Sequence, residues 1–180
     1  DDIKYNKNIS STESLLGLEL PSLKKVIYIS SIDVYDNSDH VIDESTATKP
    51  NTLYGWSKLY CEKMVQARCD ALNIEATILR LGHVYGPGEE LYQKLMPLTM
   101  KTILAGQSPV VFGDGSDLRS FIYVGDVVRT ITAAFENPIN DNIINVVHHE
   151  AYTILEIVQK IIAISHKNVS IQFKAGSSVK

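Results

Sequence analysis

Two apolar runs of strand length, separated by one helix-length segment, constrain this chain more than any other feature. Lys24-Lys25-Val26-Ile27-Tyr28-Ile29-Ser30-Ser31 reads as a parallel strand buried on both faces, because its β-branched run does not alternate with polar residues. Glu75-Ala76-Thr77-Ile78-Leu79-Arg80 reads as the next parallel strand, ending at Leu81-Gly82-His83. Between them, after the breaker Pro50-Asn51, Leu53, Leu59, Met64, Val65 and Leu72 recur at helical spacing and predict a helix from about Thr52 to Asp70. Strand, helix and strand in this order make the unit of an α/β sheet, in which ligands gather at the carboxyl ends of the strands. Ser30 and Ser31 stand at such an end.

The helix puts Tyr54 and Lys58 on one face, with Cβ atoms roughly 5–6 Å apart. A free phenol has a pKa near 10 and is a poor base at neutral pH, whereas a fixed positive charge beside it favours the phenolate. Bringing it down to neutral pH needs roughly 4 kcal/mol, which one ammonium plus a cationic ring in a dry site can supply. A hydroxyl such as that of Ser31 would then hold a substrate oxygen. The pair alone is a weak signal. With nine tyrosines and thirteen lysines in 180 residues, chance gives about two-thirds of one Tyr-x-x-x-Lys match.

The flanking residues sharpen it. In order come the apolar strand, Ser30-Ser31, Val34-Tyr35, a loop with Glu44 and Pro50, Tyr54-Gly55, Ser57-Lys58 and Glu62. Arg80 through Tyr85-Gly86-Pro87-Gly88 follows, then Phe112-Gly113-Asp114-Gly115, then Arg119-Ser120-Phe121 with Val124 and Asp126. This succession resembles the extended short-chain dehydrogenase/reductases, the family of nucleotide-sugar epimerases and dehydratases, over nearly the whole chain from Asn8 to Ile157.

The resemblance implies an α/β fold, with a Rossmann-like parallel sheet forming the C-terminal part of a doubly wound domain and a small α/β substrate-binding lobe. Residues 1–90 would be the partial catalytic domain and 91–180 mainly the lobe, with Phe121–Phe135 returning to the main domain. NAD is the implied cofactor; NADP stays open. Ser31, Tyr54 and Lys58 take the catalytic places, and Asn8, Ser30, Tyr54, Lys58 and Gly82 the places near the dinucleotide. Ser31, Asp33, His83 and Arg119 take those near a nucleotide-linked sugar. In the mechanism so implied, a Tyr54 phenolate takes the proton of a sugar hydroxyl, Lys58 lowers the tyrosine pKa and holds the nicotinamide ribose, and Ser31 binds the reacting oxygen. Relatives commonly dimerise through the tyrosine-bearing helix and the one before it.

Departures from the family pattern qualify this reading. Relatives that eliminate water carry Asp-Glu directly after the Ser/Thr, where this chain has Ile32-Asp33, which argues against dehydration. Asp33 reads equally as an exposed loop aspartate. Asp36 replaces a usual glycine, Ser11 another, and Ser120 the aspartate of Arg-Asp-Phe. Gly82 and His83 replace an aromatic or apolar residue and an asparagine. Asn8 reads either as a helix cap or as the family's asparagine beside the dinucleotide. No glycine-rich turn for a pyrophosphate is present, since neither Gly-x-Gly segment is followed by glycine three residues on. The chain begins Asp1-Asp2, which suggests a cut beginning. Two other readings stay open: a truncated or degenerate relative that binds a partner or nucleotide without turnover, and a ketone reductase of the same fold.

Composition narrows the partners. A net charge of −4 argues against a general nucleic-acid binder. No apolar run approaches the ~20 residues of a spanning helix and the N-terminus is not signal-like, so no membrane partner is expected and the cytoplasm is the default. Cys61 and Cys69 lie about 12 Å apart along one predicted helix, too far for a disulfide. No metal-ligand spacing is present, and His148-His149 reads as a loop or strand end.

Further along, a helix is predicted over about Asn8–Leu18, and a helix pair over Leu91–Ala105, broken by Pro97 and capped by Gly106. Strands are predicted over Pro109–Phe112, Phe121–Val124, Asn142–Val147 and Val169–Phe173. Asp126 reads as the N-cap of a helix over Val127–Phe135. Thr153 to Glu156 reads as a capping box for a helix running to about Ile164.

Overall fold

The computed structural model describes residues 3–36, 41–139 and 142–176. Its elements, in chain order, are α1 (Ile3–Leu16), β1 (Lys25–Ser31), α2 (Leu53–Leu72), β2 (Glu75–Leu81), β3 (His83–Tyr85), α3 (Leu95–Leu104), β4 (Val110–Phe112), β5 (Leu118–Arg119), β6 (Phe121–Tyr123), α4 (Val124–Glu136), β7 (Ile143–Val146), β8 (Tyr152–Thr153), α5 (Ile154–Ser165) and β9 (Gln172–Lys174). They form two compact units, Asp1–Gly82 with Asp126–Val146, and His83–Gly125 with Val147–Lys180. The first unit runs to Gly82, and the return to it begins at Asp126 and takes in β7 as well as most of α4.

The first unit is built on a parallel sheet in the order β1-β2-β7, with Ser30 opposite Arg80 and Ser31 opposite Leu81. The centre of the sheet is dry. Ile78 and Leu79 of β2 are fully buried, which stabilises the unit by about 1.5–3 kcal/mol for each side chain. β1 departs from its prediction. Only Ser30 and Ser31 are buried, and Lys25 to Ile29 are half-exposed, because among the described residues only β2 pairs with this strand. Lys25 anchors its start, donating to the Ala134 and Asn137 carbonyls at 2.7 and 2.8 Å and meeting Glu75 at 2.9 Å. α2 packs on β1 and α1 packs on α2.

Several helix ends differ from their predictions for simple reasons. α1 already runs from Ile3, so Asn8 lies in its second turn and is not a cap. Pro97 does not break a helix: it occupies the first turn of α3, where a missing N–H costs no intrahelical bond. Gly106 follows α3 in the left-handed conformation at φ 73°. Asp126 lies inside the first turn of α4, paired with Arg129, rather than at its cap.

Among the described residues the second unit contains three two-stranded ladders, β3-β6 and β4-β9 parallel and β5-β8 antiparallel, with α3 packed on α5. α5 starts with the predicted capping box, in which Thr153 Oγ1 accepts the Glu156 N–H and the Glu156 carboxylate accepts the Thr153 N–H.

Candidate active site

Ser31 ends β1 and caps the 3-10 turn Ile32–Val34, its Oγ accepting the Asp33 N–H at 3.2 Å. That leaves the hydroxyl proton as a donor, and Ser31 acts on the Tyr54 phenol in the direction that favours its ionisation. Tyr54 lies in the first turn of α2, one residue after Leu53, where Thr52 caps the helix by accepting the Gly55 N–H at 3.0 Å. The positive end of the helix dipole favours negative charge at such a position by about 0.3–1 kcal/mol. Gly55 is what lets the helix come this close. A Cβ there would stand 2.1 Å from the Asp33 carbonyl oxygen and 3.0 Å from Pro50 Cβ.

Lys58, one turn further, donates to the Ile29 carbonyl at 2.8 Å. Its nitrogen lies 5.9 Å from the centre of the Tyr54 ring and 5.2 Å from that of Tyr28. The expected effect of this lysine on the tyrosine is not what the geometry produces. Burial holds the Tyr54 phenol above its ordinary pKa, and Asp33 and Tyr5 push the same way, whereas the Ser31 hydroxyl is the group that opposes them. Lys58 is itself destabilised as a cation by burial, against which Cys61 and Glu62 act. The reason is direct: the ammonium is aimed at a strand carbonyl, and both side chains have lost water that would have stabilised their charged forms.

The other predicted residues take different places. Ser30 is buried, and its hydroxyl donates to Glu62, so its side chain faces inward. Asn8 reaches Ser57 Oγ at 3.5 Å, and Ser57 in turn donates to the Tyr54 carbonyl. Asp33 is exposed on the 3-10 turn. Gly82 follows β2, its N–H donating to the Val146 carbonyl at 3.0 Å. His83 and Arg119 belong to the second unit. The His83 ring is exposed and 5.5 Å from that of Phe121. Arg119 donates to the Leu118 carbonyl at 2.9 Å and lies 3.7 Å from the Asp117 carboxylate.

Sequence reasoning assigned no role to Glu62 and Arg80, which form a buried pair beneath Ser30. Two charges set among buried apolar neighbours, one in a predicted helix and one in a strand run, were the available signal. Cys61 and Cys69 are both buried and free.

A profile of the NAD dependent epimerase/dehydratase family matches residues 3–147. The UDP-N-acetyl-alpha-D-glucosaminuronate decarboxylase of Bacillus cytotoxicus is 29% identical over an alignment 175 residues long, which covers 91% of this chain and 53% of that protein. UDP-N-acetylglucosamine 4-epimerase from Methanobrevibacter ruminantium M1, solved in complex with UDP-N-acetylmuramic acid, superposes with a TM-score of 0.86 at 28% identity, over 97% of this chain and 58% of that one. UDP-glucuronic acid 4-epimerase from Bacillus cereus, solved with UDP-glucuronic acid and NAD, superposes with a TM-score of 0.79 at 29% identity, over 93% and 54%. The chain spans about half the length of the curated relatives it matches. A profile match over most of the sequence, on a parallel sheet whose strand end and following helix carry Ser31, Tyr54 and Lys58, means that this chain belongs to the NAD dependent epimerase/dehydratase family.

Proposed function

We propose that the chain carries the catalytic part of an NAD-dependent enzyme that epimerises a nucleotide-linked sugar, or eliminates a group from it, by transient oxidation. The observation that carries this reading is the approach of three groups at one strand end: the Ser31 hydroxyl, the Tyr54 phenol and the Lys58 ammonium. The family match and the relatives do not favour a non-catalytic relative or a ketone reductase.

The donor set fits the nicotinamide-ribose end of a dinucleotide. An ammonium has three N–H bonds, and Lys58 directs one to Ile29, which leaves donors for ribose hydroxyls. The sequence has no glycine-rich turn for the pyrophosphate, so the fit extends to that end alone. When bound, the dinucleotide supplies a reversible hydride acceptor at the sugar carbon.

On this reading Tyr54 takes the proton from the sugar hydroxyl and returns it after the keto sugar has turned over or lost a group. Ser31, whose oxygen is held by the Asp33 N–H, donates to the reacting oxygen. Lys58 would orient the ribose, and the positive cofactor ring would oppose the burial that raises the free phenol. Asn8 and Gly82 would stand near the cofactor, and Asp33 and His83 near the sugar. Arg119 would grip the diphosphate, since a planar guanidinium makes paired hydrogen bonds to phosphate oxygens.

Leu53, Trp56 and Tyr60 stand 56, 55 and 53% exposed on the outer side of α2, beside Tyr5 and Ile9 of α1. That apolar face supports a homodimer built through these two helices. Trp56→Glu is expected to halve the mass seen by sedimentation, and an unchanged mass would remove the proposal. The cytoplasmic assignment remains a proposal from the sequence; no helix among the described residues is long and apolar enough to cross a membrane.

The main test is turnover of UDP-glucose, UDP-N-acetylglucosamine, UDP-glucuronic acid and dTDP-glucose by the NAD-loaded protein and its Tyr54→Phe variant. Loss of the general base is expected to lower the rate by about 10²–10⁴-fold with folding unchanged. Near-parental turnover by the variant would sink the assignment.

A further inference from the structure

Among the described residues, one ion pair is buried on both sides: Glu62 of α2 and Arg80 of β2, with side chains 0% and 3% exposed. The contact is bidentate, Nε to one carboxylate oxygen at 3.0 Å and a terminal nitrogen to the other at 2.7 Å. Each partner reaches one more group. Glu62 accepts the Ser30 hydroxyl, and Arg80 donates at 2.7 Å to the Tyr35 hydroxyl, which donates at 2.9 Å to Asn145 Oδ1 of β7. The guanidinium also lies 4.8 Å from the centre of the Tyr35 ring.

A buried ion pair is weak evidence of stabilisation, because packed apolar side chains of similar volume often serve as well. What an apolar pair lacks is direction. Here the directions converge on one short segment. Ser30 and Tyr35 bracket Ser31–Val34, the segment holding the Ser31 hydroxyl, which opposes the burial of the Tyr54 phenol, and the Asp33 carbonyl that packs on Gly55. Glu62 rides on the same helix as Tyr54 and Lys58, one turn beyond the lysine.

We propose that the Glu62–Arg80 pair, acting through Ser30 and Tyr35, is a positioning clamp that holds both ends of the Ser31 turn and sets the Ser31 hydroxyl against the Tyr54 phenol. The proposal rests on the function proposed above, in which that hydroxyl and phenol act together. Glu62 has a second effect through space, since its charge favours the ammonium form of Lys58. None of the four clamp residues need touch substrate. They act by excluding arrangements in which Ser31 has drifted from the phenol.

The test uses Tyr35→Phe and Glu62→Gln beside Tyr54→Phe. Tyr35→Phe removes one hydroxyl and no charge, so it carries the test if Glu62→Gln, which leaves Arg80 buried without a counter-charge, does not fold. Turnover of the nucleotide sugar by the NAD-loaded protein is measured well below the unfolding temperature. The Tyr54 phenol is titrated separately in the substrate-free protein, by absorbance difference against the same protein carrying Tyr54→Phe. For Tyr35→Phe, kcat is expected to fall about 10- to 100-fold with KM changed less than about two-fold, as for a displacement on the order of 1 Å in the reacting groups. The phenol titration is expected to move upward, because the Ser31 hydroxyl that lowers it has been released.

Unchanged kcat overturns the clamp even if thermal stability drops, because the pair is then only structural. So does a rise in KM alone, or a fall in kcat with the phenol titration unmoved. Should Tyr54→Phe itself retain turnover, it is the proposed function that fails, and the phenol titration still reports on the clamp.

Discussion

Gly55→Ala isolates the close approach on which the site's geometry depends. In a helix, alanine is ordinarily better than glycine by about 0.5–1 kcal/mol. At this position the sign is expected to reverse. The added Cβ would lie 2.1 Å from the Asp33 carbonyl oxygen, and reaching even 3.0 Å requires the helix and the turn to separate by about 0.9 Å. The obstacle is backbone, and it cannot rotate away as a side-chain tip would. The segment carrying it is tied down at both ends, by Ser30 on Glu62 and by Tyr35 on Arg80. Overpacking of this kind costs about 1–3 kcal/mol, and an immovable neighbour puts the cost near the upper end. After the propensity gain, a net loss of roughly 2 kcal/mol remains, which for a chain of this size lowers Tm by about 4–8 °C. The same separation moves Tyr54 away from Ser31 by a comparable distance, and a 1 Å misplacement of reacting groups costs about 10²-fold in rate. Thermal unfolding followed by circular dichroism and turnover of the NAD-loaded protein read the two effects independently. A variant as stable as the parent, or more so, with turnover intact would refute the packing argument.

Other outcomes follow from the same geometry. Lys58→Met removes a cation that burial disfavours, so Tm is expected to hold or rise while turnover falls by about 10²-fold or more; a matching loss of stability would show the ammonium to be structural. Tyr54 and Tyr28 both have pKa values raised by burial, so the folded state holds protons that the unfolded state releases first. Their contribution to stability is complete below about pH 10 and is lost as pH rises through the folded values; urea unfolding at rising alkaline pH should show a slope that weakens in Tyr54→Phe. Arg119→Ala is expected to weaken binding of a nucleoside diphosphate by about tenfold or more, and an unchanged Kd in calorimetry would remove its phosphate role. Cys61 and Cys69 should react with a thiol reagent only after denaturation, because both are buried; fast reaction in the native protein would contradict the α2 packing.

Local patterns carried the framework of this protein. The run from Lys24 to Ser31, the helical spacing from Leu53 onward and the run from Glu75 to Arg80 determine strand, helix and strand, because backbone period and side-chain branching act within a few residues of one another. Tyr54 and Lys58 on one face follow from helix geometry alone, and the Thr153 to Glu156 cap from its own four residues. Tertiary structure decided how the charges behave. That Lys58 is directed to the Ile29 carbonyl, that burial raises the Tyr54 phenol and that Ser31 is the hydroxyl opposing it depend on which atoms two elements bring together and how much water they exclude. The same holds for the Ser30 side chain, which only packing directs toward Glu62. Glu62 and Arg80 lie eighteen residues apart and meet only because α2 lies over neighbouring strands. Desolvation and long-range hydrogen bonding are properties of the assembled core, and no window of sequence contains them.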